Sequence, residues 1–162
     1  MPNWCKNYIT FSGDKENLEK VHQTFIQMQK DEDETNEGQK PDFLKEIKDG
    51  YFFGIWVDTE SSDPSYQYDT RWSPNVLDVQ AIAEHYNVSF VLEYEEMGNN
   101  IFGKTEYNHL TKKLIEKNLS DDDFAEIEFD DENDVYTFRG ETDETERNFL
   151  EQLYKERFNE SY

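Results

Sequence analysis

The charge of this chain is the property that most restricts what it can fold into. Of its 162 residues, 38 are acidic and 16 are basic, so the formal net charge is −22 at neutral pH. Like charges repel one another in a compact state, and chains with high net charge and low mean hydropathy tend to stay disordered. A folded state therefore needs a large apolar core, which 12 Phe, 10 Tyr and 3 Trp can supply. We expect a folded domain with an aromatic-rich core and an acidic exterior.

The same charge excludes several classes of partner. Phosphate groups would meet a repulsive field, so direct binding to nucleic acid or to an anionic membrane is not expected. No apolar run approaches the roughly 18 residues of a membrane-spanning helix. The N-terminus lacks the basic and apolar regions of a signal peptide, and a cytoplasmic protein is expected. A single cysteine, Cys5, rules out an internal disulfide and a cysteine-based zinc cluster, and no motif indicates a cofactor.

Hydrophobic periodicity predicts the secondary structure of the first two thirds of the chain. Alternating apolar residues indicate strands, and apolar residues three and four apart indicate amphipathic helices. The predicted strands span residues 4–11, 51–57, 66–72, 88–95 and 101–107, and the predicted helices contain residues 18–28 and 76–86. This β-α-β-β-α-β order with one added strand is the split βαβ, or ferredoxin-like, arrangement of an α+β fold, with two helices on one face of an antiparallel sheet.

The composition of individual segments adds finer expectations. The strand at 51–57 is apolar enough to be central in the sheet, whereas the strand at 101–107 is expected at its edge. The acidic run at 31–34 is expected to end the first helix in a charged loop. A short amphipathic segment is expected at 43–47, and a turn cluster at 60–65.

The pattern is less regular after residue 107. Residues 109–119 are expected to be helical, and strands at 124–129 and 135–139 are expected to form a hairpin around an acidic turn. Thr142 or Asp143 is expected to cap a final helix. The buried stripe of that helix is expected to contain Phe149, Leu150, Leu153, Tyr154 and Phe158. The chain is therefore expected to consist of a ferredoxin-like domain over residues 1–107 and an acidic extension over 108–162 that packs on it.

Three short motifs resemble a known family. They lie in the first strand, before the second helix, and in a strand-turn-strand element, and they contain Asn3, Trp4, Cys5, Asn7, Trp72, Ser73, Pro74, Tyr94, Glu95, Glu96, Gly98, Phe102 and Gly103. In order and spacing they resemble the YubB-type ferredoxin-like proteins carried by phages and plasmids, although Asn75 replaces that family's second proline. The resemblance implies a ferredoxin-like fold and a mobile-element origin. It implies no catalytic residue, and the motif residues are interpreted as structural.

A nucleophilic cysteine is one reading of the first motif. Cys5 could pair with one of the three histidines, His22, His85 and His109, because such a pair activates a thiol. The alternative is a small buried hydrophobic residue, which the strand around Cys5 favours. We expect the second reading and no enzymatic activity.

Other motif residues also have two readings. Trp4, Asn7 and Trp72 could line a ligand site, because indole rings stack well and an amide both donates and accepts hydrogen bonds. The structural alternative, which we favour, places both tryptophans in the core and has Asn3 or Asn7 bond to turn backbone. Glu95 and Glu96 could do acid–base chemistry, but carboxylates at the end of an exposed hairpin are usually just solvated.

A metal-like spacing occurs in the acidic C-terminal region. Asp130, Glu132 and Asp134, with Glu141 eleven residues after the first, imitate the oxygen ligands of a calcium loop. The sixth position of such a loop should be glycine to permit a sharp turn, and here it is Val135. No dedicated metal site is expected.

The acidic residues are concentrated near the C-terminus. Residues 120–162 contain 16 acidic and 4 basic side chains, and residues 120–134 contain nine acidic and no basic ones. On a strand, Ala125, Ile127 and Phe129 would face inward and the intervening carboxylates outward. One interpretation is a device for solubility or an adaptation to a halophilic host, and the other is a binding surface. The nine residues of the predicted partner surface are Asp121, Asp122, Asp123, Glu126, Glu128, Asp130, Asp131, Glu132 and Asp134.

Two functional hypotheses follow. The first is a non-enzymatic interaction protein of a mobile genetic element that mimics nucleic acid and blocks a basic DNA- or RNA-binding defence protein of the host. The alternative is a small-ligand or peptide module on the open sheet face, where Tyr8, Phe53 and Tyr66 could stack, with no inhibitory role. A hydrolase built from scattered carboxylates has no motif to support it. The fold itself does not choose among these.

Overall fold

The computed structural model of the chain describes residues 1–44, 50–59 and 63–162. The expected amphipathic segment at 43–47 and turn cluster at 60–65 therefore lie partly outside the described residues. A turn of 3₁₀ helix occupies Asp42–Leu44. Within the described residues, no helix is long and apolar enough to span a membrane.

The predicted ferredoxin-like arrangement is observed. In chain order its elements are β1 (Trp4–Ser12), α1 (Lys15–Thr35), β2 (Phe53–Asp58), β3 (Ser65–Arg71), α2 (Val76–Tyr86), β4 (Ser89–Glu96), β5 (Ile101–Asn108) and β6 (Lys113–Asn118). The strands form one sheet in the order β2-β3-β1-β4-β5-β6, and all neighbours are antiparallel. The first four strands have the split βαβ order, and β5 and β6 extend the sheet beyond β4.

Alternation along β1 shows which face of the sheet is the core. Cys5, Asn7, Ile9 and Phe11 are buried. Of these, Cys5, Ile9 and Phe11 pack with residues of α1 and α2 in one hydrophobic cluster. The cluster is rich in aromatic rings, as the composition predicts. The ring of Phe25 in α1, for example, stacks on that of a β3 tyrosine with 4.1 Å between centroids. We call the face covered by α1 and α2 the inner face and the opposite one the outer face.

Three of the finer expectations about the sheet are wrong. The strand predicted to be central, β2, is an edge strand, and the strand predicted at the edge, β5, pairs on both sides. Residues 109–119 are not helical, because a tight turn leads directly into β6. Asn108 holds that turn by accepting hydrogen bonds from the backbone N–H groups of Leu110 and Thr111. The helical spacing of Leu110 and Leu114 is misleading, since Leu110 is 81% exposed.

The acidic run at 31–34 does not end the first helix, which continues to Thr35. Glu32 instead forms hydrogen bonds with the neighbouring edge strand, β2. Its carboxylate accepts hydrogen bonds from the backbone N–H groups of Gly54, at 2.7 Å, and Ile55, at 2.9 Å. Gly54 has φ +59, and the pairing of β2 with β3 is irregular at this point. The helix is longer than predicted because its last turns hold the edge of the sheet.

The C-terminal region forms a second layer. Its elements are α3 (Asp121–Phe124), β7 (Glu128–Asp130), β8 (Val135–Phe138), β9 (Glu141–Asp143) and α4 (Glu146–Phe158), and β7, β8 and β9 form a small antiparallel sheet. A second hydrophobic cluster joins this region to Phe102 of β5 and to Leu119. Phe102 pairs with Glu95, which neighbours the inward-facing Tyr94. Phe102 is therefore on the outer face, and the C-terminal layer covers the outer face around β5.

The hairpin predicted in this region is present, but its boundaries differ. The first strand begins at Glu128 rather than near residue 124, because a short capped helix, α3, takes up the preceding residues. Helix α4 begins at Glu146 with Thr145 at its N-cap position, so neither Thr142 nor Asp143 is the cap. Both residues lie in β9, a strand that the sequence pattern did not reveal. The division of the chain at residue 107 stays a prediction.

Candidate functional site

Seven of the nine carboxylates predicted to bind a partner lie on the surface of the C-terminal layer. Six of these side chains are exposed and Asp130 is half-buried. Two of them lie in the first turn of α3, and five lie in the β7–β8 hairpin. The seven are Asp121, Asp122, Glu128, Asp130, Asp131, Glu132 and Asp134. They do not form the single alternating strand face that the pattern predicted, because the chain becomes a strand only at Glu128.

The other two predicted carboxylates have a structural environment. Asp123 is only 4% exposed; it closes a capping box with Ser120 and accepts a hydrogen bond from the guanidinium of Arg157 at 2.5 Å. Glu126 bonds to both Arg139, at 2.8 Å, and Arg157, at 3.3 Å. Although burial raises the pKa of Asp123, hydrogen bonds from Ser120 and Arg157 outweigh it and hold that pKa below its ordinary value. These two carboxylates fasten α3 and the hairpin to α4.

The acidic turn of the hairpin has a defined shape. The carboxylate of Asp130 accepts hydrogen bonds from the backbone N–H groups of Glu132, at 3.0 Å, and Asn133, at 3.3 Å, and from the side-chain amide of Asn133, at 2.7 Å. These bonds hold the pKa of Asp130 below its ordinary value. Asp131, Glu132 and Asp134 project from a turn whose backbone is fixed in this way. Within the described residues, no group of three or more His, Cys, Asp or Glu side chains is arranged to hold a metal ion.

The basic residues of the C-terminal layer are largely neutralised. Arg139, Arg147 and Arg157 are each bonded to two carboxylates, and one further carboxylate pairs with Lys117 of β6. Within the described residues, eleven of the 16 acidic side chains of this layer have no ion pair. We call these eleven the acidic surface: Asp121, Asp122, Glu128, Asp130, Asp131, Glu132, Asp134, Glu141, Asp143, Glu144 and Glu146. The charge of this layer is therefore presented to solvent.

The first family motif does not form a nucleophile pair. Cys5 is fully buried, and burial raises the pKa of its thiol to about 12. The histidines have other contacts: His22 bonds to Tyr66, His109 bonds to Ser89, and His85 stacks on Phe43. A thiol with such a pKa is almost entirely protonated at neutral pH, when it is a poor nucleophile.

Asn7 and the two motif tryptophans have different roles from one another. Asn7 is buried, and its amide donates to the backbone oxygen of Cys5 and to the hydroxyl of Thr70, both at 2.9 Å. The expectation that the tryptophans fill the core is wrong, since Trp4 is 41% and Trp72 is 52% exposed. Trp4 instead lies on the outer face, edge-on to Phe53 with 5.0 Å between ring centroids.

Trp72 has an unusual backbone conformation. Its φ is +69, which is rare for a bulky side chain and costs on the order of 1 kcal/mol or more. Hydrogen bonds over-determine the loop, since the N–H of Trp72 donates to the oxygen of Asn3 at 2.9 Å and the hydroxyl of Thr70 donates to the oxygen of Ser73 at 2.7 Å. Pro74 follows in the same loop and leads into α2. The loop therefore holds the indole of Trp72 partly in solvent.

The third motif is structural at most of its positions. Glu95 pairs with Arg147 of α4, and Glu96 accepts a hydrogen bond from the N–H of Gly98 at 3.0 Å. The lack of a side chain at Gly103 makes room for the side chain of Asn118, because a Cβ at position 103 would lie 2.0 Å from the amide oxygen of Asn118. That oxygen accepts a hydrogen bond from the hydroxyl of Tyr94 at 2.5 Å. Glu95 is thus held by an ion pair, whereas Glu96 is held through one carboxylate oxygen and its other oxygen is buried without a hydrogen-bond partner.

A cleft with a volume of about 970 Å³ opens at the end of the main sheet, and we call it the sheet-end cleft. One wall is the loop from Thr70 through the first turn of α2, including Trp72, Ser73 and Pro74. The other wall is formed by the start of β5 and the end of β6, including Glu116 and Asn118. The sequence allows Trp72 as a ligand-site residue but favours a place in the core, and it could not reveal Glu116 and Asn118 because it predicts a helix over residues 109–119.

The outer face is only partly open. The C-terminal layer covers it around β5, with Arg147 and Tyr162 approaching the strands beside Glu93 and Glu95. The part over β1, β2 and β3 carries exposed aromatic side chains, among them Trp4 and Trp56. The expectation that Tyr66 is a stacking residue on the open face is wrong, because Tyr66 is buried in the inner cluster.

Comparison with known proteins gives one match. A family model described as a ferredoxin-like domain in Api92-like protein matches residues 52–139, which is more than half of the 162-residue chain. The matched segment runs from β2 to the β7–β8 hairpin and includes both the Trp72 loop and all nine predicted partner residues. No curated protein and no solved structure gives a significant match.

Proposed function

The chain belongs to the family of ferredoxin-like domains in Api92-like proteins, and we propose that it acts as a non-enzymatic interaction protein that binds a basic nucleic-acid-binding partner through its acidic surface. One observation carries the proposal. Eleven carboxylates of the C-terminal layer have no ion pair within the described residues, while all three arginines of that layer are bonded to carboxylates. The layer therefore presents negative charge that no neighbouring arginine compensates.

This arrangement favours a binding role over solubility alone. Unpaired like charges destabilise a compact state through mutual repulsion, and a solubility coat would be served by carboxylates spread over the whole exterior. Here the carboxylates are densest in one layer, with 16 among residues 120–162 and 22 among residues 1–119, and Asp130 fixes the backbone of the turn from which Asp131, Glu132 and Asp134 project. Charges held in fixed relative positions lose little conformational freedom on binding. Such a surface suits a groove lined with Lys and Arg.

The identity of the partner follows from the same chemistry. Proteins that bind DNA or RNA neutralise phosphates with arrays of Lys and Arg, and a fixed array of carboxylates can occupy that groove as a mimic of nucleic acid. The motif resemblance to YubB-type proteins of phages and plasmids supports a mobile genetic element as the source. We propose that the partner is a defence protein of the host, such as a restriction enzyme or an RNA-guided nuclease, and that binding occurs in the cytoplasm.

The test is displacement of labelled duplex DNA from a purified restriction endonuclease and from a purified RNA-guided nuclease. The wild-type chain is expected to displace the DNA at about 50 mM salt and to lose about tenfold or more of its potency at about 300 mM, because salt screens exposed charges. The test variant carries Glu128→Gln, Asp131→Asn, Glu132→Gln and Asp134→Asn. It leaves Asp130 in place because that carboxylate holds the turn.

A matched control removes the same number of charges elsewhere. Asp14→Asn, Glu19→Gln, Asp33→Asn and Glu37→Gln change four exposed carboxylates on or beside α1, which covers the inner face. The proposal requires the test variant to lose displacement and the control to keep it. Equal losses in the two variants would show attraction by net charge alone, and no displacement by the wild type from either enzyme would contradict mimicry of nucleic acid.

A further inference from the structure

Aromatic side chains line the sheet-end cleft, and two of them are about half exposed. Trp72 and Tyr51 are 52% and 49% exposed, and Phe53 and Tyr94 also line the cleft. A cation already lies over one of these rings, since the ammonium group of Lys40 is 4.9 Å from the centre of the Tyr51 ring. Ring faces of this kind attract organic cations through their quadrupole. The aromatic lining therefore favours a ligand with a positive charge.

The charged side chains of the cleft also favour a ligand with a positive charge. The charged residues among its described lining are Asp78, Glu116 and Arg71. The guanidinium of Arg71 lies over the rings of Phe53, at 4.9 Å, and Trp4, at 6.0 Å, so it is held against aromatic faces of the outer side. A cleft with low-dielectric walls concentrates the field of the charges around it, and the chain has a net charge of −22. With two carboxylates and one guanidinium, the described lining of the cleft has a formal charge of −1, which favours a cation.

Two buried tyrosines respond to these carboxylates. Burial raises the pKa of Tyr94, and the nearby charge of Glu116 raises it further. Burial likewise raises the pKa of Tyr68 well above its ordinary value, and Asp78 adds to the rise. The negative field of Glu116 therefore reaches Tyr94, which lines the cleft.

We propose that the sheet-end cleft binds an organic cation, namely an alkyl chain that ends in an ammonium or guanidinium group, with Trp72 covering the chain and Glu116 facing the charge. The volume of about 970 Å³ is at the upper end of the range for small-molecule sites and holds either a free polyamine or a basic side chain together with its peptide backbone. The positive φ of Trp72 serves this role because it presents the indole at the mouth of the cleft. This site is separate from the acidic surface and does not depend on it.

The experiment follows the indole N–H signals of the three tryptophans by NMR during titration. The probes are spermidine, the tripeptide Gly-Arg-Gly with blocked ends, the same tripeptide with citrulline in place of arginine, and adenosine. Citrulline matches arginine in shape and lacks its charge, and adenosine is a flat uncharged ring that could stack on Trp72. Saturable shifts of the Trp72 signal are expected with spermidine, with the arginine tripeptide, or with both. The first alone indicates a free polyamine, and the second alone indicates a basic side chain.

Two variants test the assigned contacts. Glu116→Gln removes one charge from an exposed strand residue and is expected to weaken binding about three- to tenfold, with Glu128→Gln on β7 as the matched control. Trp72→Gly removes the indole and suits the positive φ, so binding should be lost while the unfolding midpoint stays the same or rises. Trp56→Ala is its control, because Trp56 is equally exposed, at 52%, and lies outside the cleft.

Four results would overturn the proposal. Binding of adenosine or the citrulline tripeptide as tight as that of the charged probes would show that charge is not recognised. Equal weakening by Glu128→Gln and Glu116→Gln would show general attraction to an acidic protein. A Trp72→Gly variant that unfolds more easily and still binds would show that Trp72 has a structural role only. The absence of any saturable shift with spermidine and the arginine tripeptide would refute the site itself.

Discussion

Replacing Asp123 by alanine should destabilise the C-terminal layer far more than the same change at the adjacent Asp122. The side chain of Asp123 is 5% exposed; it accepts hydrogen bonds from the N–H and hydroxyl groups of Ser120 at 2.8 and 2.9 Å, and one from Arg157 at 2.5 Å. Asp122 lies in the same turn, is exposed and has no such bond. The two variants therefore remove the same charge from the same helix and differ only in the contacts that are lost.

The magnitude follows from the bonds. Loss of the capping interaction costs about 0.5–2 kcal/mol. Loss of the charged hydrogen bonds of a buried carboxylate costs about 1.5–3 kcal/mol. These costs overlap, because one carboxylate makes all the bonds, so Asp123→Ala should lower the free energy of unfolding by about 2–4 kcal/mol. Asp122→Ala should change it by no more than about 0.5 kcal/mol.

The assay is urea unfolding monitored by circular dichroism at several pH values. The pKa of Asp123 in the folded state lies below its ordinary value of 3.8, so the carboxylate stabilises the folded state above that value. Its contribution is lost as the pH falls through the lowered pKa. The difference between the wild type and Asp123→Ala should therefore be full at pH 7 and shrink below about pH 4. Equal unfolding free energies for the two alanine variants at pH 7 would refute the reasoning.

Two further predictions concern the main sheet. Glu32→Ala should lower the free energy of unfolding by about 1–3 kcal/mol, because two backbone N–H groups of β2 lose a charged acceptor. The control in the same urea assay is Asp33→Ala, which changes an exposed neighbour on the same helix. An equal effect of the two substitutions would contradict the contact between Glu32 and the edge strand. Cys5 should react with iodoacetamide at pH 8 at least about a hundredfold more slowly in the native protein than in urea, since it is fully buried and burial raises the pKa of its thiol to about 12. Mass spectrometry measures the rate of labelling, and fast labelling of the native protein would show that β1 is not buried as described.

The sequence predicts the order of elements in the main sheet well, because period-two alternation is strong where one face of a strand is buried. In β1 that alternation includes Cys5, Ile9 and Phe11, all of which are buried. It fails at β6, where Leu110 and Leu114 have helical spacing although Leu110 lies in an exposed turn. Local spacing cannot distinguish these cases, since the difference lies in the pairing of β6 with β5.

The candidate sites were predicted less completely, because their decisive contacts join residues distant in sequence. Nothing near Asp123 indicates that it is buried, since its partner Arg157 is 34 residues away. The motif around Trp72 is recognisable in the sequence, but aromatic residues are by default assigned to the core, and only the fold shows that this indole is half-exposed. The wall that faces it, which contains Glu116, depends on β6 being a strand.

The contacts that Glu32 makes with β2 have a consequence for how separate molecules of this protein meet. An unpaired edge strand offers its backbone as a template on which another chain can add a strand, which leads to aggregation. Here Gln39 pairs with Phe52 just before β2, and Glu32 and Gln29 bond to Gly54 and Ile55 within it. The backbone donors that an incoming strand would need at the start of β2 are already engaged. The long, acidic first helix thus blocks strand addition at this edge of the sheet.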